Sequence, residues 1–213
     1  MKKKLIFSAA LVLSLGLAAC GDEKAKEEPQ KEETQTPVSA DKKEDTEKAD
    51  ENEESDGVGE TTESELGKMT VLYKDKELNM AVNNGPVNAT LDKIQLATME
   101  PSESYKETFG GQEKVTIVTI EASAENTVDD TTNYYLNQAK LVTDTGQQVD
   151  SDIWFSDDVG GEFLGKVKKN GNIIWVLKHD EAVKKVTLHI SGASNNNLDR
   201  LGEDLKVEIP LDK

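Results

Sequence analysis

The 213 residues carry a formal net charge of −17, with 35% hydrophobic and 5% aromatic residues. The charge is uneven: residues 1–20 hold three lysines and no acid, residues 21–65 hold 18 acids and 6 bases, and residues 66–213 hold 24 acids and 16 bases. This leaves material for one domain of ordinary size and argues against nucleic acid as a partner, because phosphate binding needs a basic face.

Lys2, Lys3 and Lys4 precede an apolar run over residues 5–15, followed by Gly16-Leu17-Ala18-Ala19-Cys20-Gly21. A positive start, a short apolar stretch and a small-residue cleavage site describe a secretory signal over residues 1–19. The run is too short to span a bilayer, which takes about 20 apolar residues. Cys20 is the only cysteine. The stretch Leu17-Ala18-Ala19-Cys20 resembles the lipobox of bacterial lipoproteins. That resemblance implies that the Cys20 sulfur is diacylated and that Cys20 becomes the new amino terminus, on the extracytoplasmic face of the cell membrane. Each buried methylene contributes roughly 0.8 kcal/mol, so two or three acyl chains anchor stably where one does not. With Cys20 consumed, no thiol is left for a disulfide, a nucleophile or a thiolate metal site.

Residues 20–65 read as a lipidated cysteine and a disordered acidic tether. Beyond Cys20 the segment has no aromatic residue, and its apolar residues are Ala25, Val38, Ala40, Ala49 and Val58. Low hydrophobicity with high like charge cannot bury enough surface to offset chain entropy. Runs such as Glu51-Asn52-Glu53-Glu54 repel and extend the chain. Its ceiling is on the order of 150 Å, against about 35–40 Å for a relaxed coil.

From about Met69 the pattern alternates. Val118, Ile120, Ala122 and Ala124 share one strand face, and Val186, Leu188 and Ile190 share another; Leu205, Val207, Ile209 and Leu211 repeat the pattern. One buried and one wet face is the signature of antiparallel sheets. Strands are expected near 69–73, 77–82, 87–99, 115–125, 135–143, 163–167, 173–178, 185–191 and 205–211. Asn170-Gly171 signals a type I′ hairpin, Asp180 a single capped turn, and Pro210 the end of an edge strand. Of Trp154 and Trp175, at least one belongs in the core. Many short strands with frequent turns favour an all-β, antiparallel two-sheet sandwich over residues 66–213.

Four stretches carry a further resemblance: Ile120-Glu121-Ala122-Ser123-Ala124-Glu125-Asn126-Thr127, then Leu141-Val142-Thr143-Asp144-Thr145-Gly146-Gln147, then residues 165–171, then residues 179–190 beginning His179-Asp180-Glu181. Their order resembles the telokin-like, immunoglobulin-fold domain of unknown function in lipoproteins of Gram-positive bacteria. The resemblance covers about residues 76–211. It implies an immunoglobulin-like fold and a surface location, and no reaction.

Chemistry is sparse. Asp144, Asp150, Asp152, Asp157 and Asp158 gather around Trp154-Phe155, and oxygen-rich loops of this kind hold calcium weakly in extracellular modules. The spacing departs from the Asp-x-Asp-x-Asp-Gly pattern, and a plain polar loop in an acidic chain is the alternative. His179 and His189 stand beside ordinary surface charge, which favours exposed residues over a zinc pair. No Gly-x-Ser-x-Gly occurs, and Ser191 with His189 on one strand cannot form an attack geometry. No catalytic residue, cofactor or metal is expected, and the chain reads as a non-enzyme. Tyr134, Tyr135, Trp154 and Phe163 are either contact residues in loops at one end of the sandwich or core and corner residues. The expected function is a monomeric, lipid-anchored module that binds a protein, a wall component or a small ligand. A solute receptor, a weak calcium binder and a surface hydrolase are the alternatives.

Overall fold

The computed structural model describes residues 57–211, and the expected signal peptide, Cys20 and most of the tether lie outside them. Twelve strands are β1 (Thr61–Ser64), β2 (Gly67–Asp75), β3 (Met80–Ala81), β4 (Val87–Pro101), β5 (Val115–Asn126), β6 (Thr132–Tyr134), β7 (Lys140–Thr143), β8 (Gln148–Asp150), β9 (Gly161–Phe163), β10 (Lys168–Lys178), β11 (Lys185–Ile190) and β12 (Leu205–Pro210). The large sheet runs β1-β2-β4-β5-β10 with β3 beside the first half of β4. The second sheet runs β12-β11-β7-β8, and β6 pairs β9 separately. Every pairing is antiparallel. The fold is therefore an all-β, two-sheet sandwich, as the alternation predicts.

The core lies between the sheets. Leu91, Ile94, Ile120 and Trp175 from one side are buried with Leu141, Leu188 and Ile190 from the other. Burial of each such side chain contributes roughly 1.5–3 kcal/mol. The Trp175 indole N–H donates to the Ala139 carbonyl at 2.9 Å, so the largest core side chain also ties the large sheet to the entry of β7.

On β4 a single bulge keeps the apolar residues inward. Val87, Ala89 and Leu91 are buried before it, and Ile94 and Leu96 after it, with the register against β5 shifting between Leu91 and Lys93. A strand has period two, so the extra residue swaps which parity faces the core.

Several elements differ from expectation. The folded region begins before residue 66: β1 pairs with β2, and the Gly59 N–H donates to the Val71 carbonyl at 2.8 Å. Thr61-Thr62 lies in a polar stretch, but the β2 partner supplies its ladder. Asn170-Gly171 forms no hairpin; both residues sit inside β10, opposite Ser123 and Ala122 of β5. Gly171 serves close approach instead of a turn, since a Cβ there would stand 2.4 Å from the Asp157 Cβ. The expected strand over 135–143 is broken by a 3-10 turn at Leu136–Gln138 that buries Leu136. The expected strand at 77–82 shrinks to Met80–Ala81 behind Asn79, whose φ is 42°. β8 and β9 are three-residue strands, too short for alternation to register. The Asp180 carboxylate accepts the Ala182 N–H at 2.9 Å in a tight turn.

Candidate functional site

Sheet alternation leaves one face of β4, β5 and β10 pointing away from the core, and on an ordinary sandwich that face is polar. Here it is polar over much of its length but apolar at one end. Cross-strand register sets Ala97 beside Ile117 and Ile117 beside Val176; the next row is Gln95, Thr119 and Ile174. Met99 and Val115 form a further pair, and both are buried although they face outward.

Two loops raise walls on this floor. After β4, a 3-10 turn at Lys106–Phe109 is closed by Gly110 in the left-handed conformation (φ 69°), and it buries Phe109 against Met99 and Val115. A Lys106–Glu113 ion pair holds the turn, and the Glu113 carboxylate pushes the Lys106 pKa up. After β8, residues 151–157 bring Phe155 onto Phe109, with ring centroids 5.6 Å apart and planes inclined by only 6°. The stacked pair overhangs the floor, leaving an open trough of about 550 Å³.

Beyond Gln95, Thr119 and Asn172 the trough runs into a second, more polar depression of about 390 Å³ that contains Lys74, Lys76 and Lys93. Lys93 pairs with Glu121 at 2.9 Å. Among the described residues Lys74 and Lys76 make no ion pair. The outer face is thus amphipathic along its length, apolar under the phenylalanines and cationic at the other end.

The loop that supplies Phe155 also straps the free edge of β10. Asn172 donates to the Asp157 Oδ2 at 2.7 Å and accepts the Asp157 N–H at 2.8 Å. Ile174 donates to the Ser156 Oγ at 2.9 Å and accepts the Asp152 N–H at 2.7 Å. Farther along, the Gln147 side chain donates to the Lys178 carbonyl and accepts its N–H, at 3.2 and 3.0 Å.

The five aspartates singled out for calcium are each engaged separately. Asp152 caps the Trp154 and Phe155 N–H groups, Asp157 takes Asn172, and Asp144 takes the Lys184 N–H. Asp150 pairs with Lys140, and Asp158 with Lys169 at 2.9 Å. Among the described residues no three His, Cys, Asp or Glu side chains come together as a metal site. His179 sits 3.4 Å from Glu181, and His189 faces Lys140 and Lys206 on the wet side of β11. The Gly192 N–H following Ser191 donates to Asp204, whose carboxyl that bond and Arg200 hold below the usual range.

The aromatic candidates divide. Tyr134 is fully buried and donates its hydroxyl to the Val82 carbonyl at 3.1 Å. Phe163 is also in the core, with the Lys169 ammonium 5.1 Å from its ring centre. Tyr135 is exposed, and Trp154 is 88% exposed beside Ile153 at 69%. The sequence reading did not find Phe109 or the outward residues Ile117 and Ile174. The unbroken apolar run Ile173-Ile174-Trp175-Val176-Leu177 carries their signal: a strand apolar on both faces has something covering both.

The chain is 29% identical over 160 residues to the SPbeta prophage-derived uncharacterized lipoprotein YonS of Bacillus subtilis strain 168, covering 73% of this chain and 72% of that protein. Its fold is similar to the crystal structure of a functionally unknown protein from Listeria monocytogenes EGD-e. That likeness has a TM-score of 0.55 at 11% identity, over 68% of this chain and 89% of the other. No family model matches the sequence.

Proposed function

We propose that the chain is a lipid-anchored, non-enzymatic binding module on the extracytoplasmic face of the cell membrane. Acylated Cys20 holds it there, and the acidic tether presents the sandwich. The lipobox-like leader supports the anchor, as does the lipoprotein name of its relative YonS. The telokin-like immunoglobulin-fold reading is consistent with the two-sheet topology. The sandwich acts as a monomer.

The observation that carries the binding reading is the apolar outer face of β4, β5 and β10 beneath the Phe109–Phe155 stack. A sheet face of this kind costs solubility unless something occupies it. Membrane fractionation tests the anchor: Cys20→Ala is expected to leave the membrane fraction, and retention there overturns the assignment. A neutral apolar dye, N-phenyl-1-naphthylamine, tests the trough. Dye fluorescence is expected to rise with the native protein and to fall back with Thr119→Trp, which fills the floor between Gln95 and Ile174. Equal dye binding by the variant overturns the site.

A further inference from the structure

Resting on the trough as the binding site, we propose that its ligand is a free single-chain anionic amphiphile of the fatty-acid class. Its hydrocarbon lies over Ile117 and Ile174, and its carboxylate meets Lys74 and Lys76.

Three observations select this chemistry. The apolar trough and the lysine depression share Gln95, Thr119 and Asn172, so they form one continuous surface. From Met99 to Lys93 that surface follows β4 for six residues, about 20 Å, the scale of an extended long acyl chain. Finally, the chain is strongly acidic, yet two lysines without ion-pair partners among the described residues stand at one end of its apolar trough. A neutral apolar ligand has no use for them, and a cation is repelled by them.

The other occupants fit less well. The tether enters beside Lys74, with Gly57 next to that side chain, but its apolar residues are only Ala25, Val38, Ala40, Ala49 and Val58. It cannot fill the apolar end. A second copy would have to seat an exposed apolar residue such as Trp154 or Leu198 in the trough, and such a residue brings no anionic group to the two lysines.

The experiment uses residues 21–213, which leave out the proposed lipid-bearing Cys20. Three ligands with the same tail and different heads are titrated below their micelle concentrations: myristate, tetradecyl maltoside and tetradecyltrimethylammonium. Trp154 is an intrinsic reporter, one residue from Phe155 and almost fully exposed. Its emission is expected to shift, with myristate binding tightest and the cation weakest. Lys74→Glu with Lys76→Glu is expected to weaken myristate about three- to tenfold, as for two partly exposed ion pairs, and to leave the maltoside unchanged. High salt reduces the difference between the heads.

Equal affinity for myristate and the maltoside overturns the anionic head and leaves the trough standing. Failure of all three ligands overturns the trough as well. A response confined to phosphatidylglycerol vesicles makes the surface a membrane contact and overturns the free ligand. A dimer at assay concentration, lost in Trp154→Ala, makes a second copy the occupant. Thr119→Trp separates blocked binding from misfolding, because its melting temperature is read in the same samples.

Discussion

Phe109 and Phe155 lie face to face with ring centroids 5.6 Å apart, although they come from loops 46 positions apart in the chain. The pair joins the turn after β4 to the loop that straps β10, and so fixes two walls of the trough at once. Removing one ring loosens both walls. Phe155→Ala is expected to lose about 1 kcal/mol from the aromatic pair in addition to its burial, and to weaken ligand binding more than Phe155→Leu. Urea unfolding and Trp154 titration on the same variants measure the two effects.

Asn126 is fully buried at the end of β5 and holds the following loop by its side chain. Its amide donates toward the carbonyls of Asp130 and Gly165 at 2.9 Å and of Val128 at 3.2 Å, and its oxygen accepts the Thr132 hydroxyl. Asn126→Ala orphans these groups and is expected to cost about 2–3 kcal/mol. Asn126→Asp is expected to be worse at neutral pH, where a carboxylate would face carbonyl oxygens with no proton to offer. Chemical denaturation of both variants distinguishes a lost partner from a repelled one.

Burial pushes the Tyr134 hydroxyl pKa far up, well beyond its ordinary value near 10. The folded state therefore keeps the proton where the unfolded chain releases it. Stability is full below pH 10 and falls as pH rises past it. Tyr134→Phe is expected to be less stable at neutral pH, because the Val82 carbonyl loses its donor, and to have a flatter stability profile above pH 10. Melting curves across that interval give the slopes.

Thr98 Oγ is buried on β4 without a hydrogen-bond partner among the described residues. Replacing an unpartnered hydroxyl by a methyl of similar shape removes a desolvation cost, so Thr98→Val is expected to raise stability by roughly 1 kcal/mol. A rise in melting temperature of several degrees is the corresponding signal for a domain of this size.

The inward half of the sandwich was legible because alternation is a local property. Val118, Ile120, Ala122 and Ala124 announce their strand, and all are buried as expected. The outward half was not. Whether Ile117 and Ile174 face water or a ligand depends on Phe109 and Phe155, which no short window brings together. Asn170-Gly171 misleads for a related reason: the dipeptide carries a strong local turn preference, but pairing along the whole of β5 and the approach of Asp157 outweigh it. The five aspartates left two readings open, a plain polar loop and a weak calcium site. Density along the chain does not decide between them, because it does not show which partner each carboxylate takes; in the fold each meets a separate N–H or lysine.

The strap along β10 has a consequence for behaviour in a crowd. An outer strand with bare N–H and C=O groups is a template on which another chain can add, and such growth feeds aggregation. Asn172, Ile174 and Lys178 are closed to that route by Asp152, Ser156, Asp157 and Gln147. These are polar loop side chains and backbone groups that mimic the neighbouring strand without extending the sheet. The edge of the large sheet at β10 is thereby blocked at these three residues, while the adjoining trough stays open.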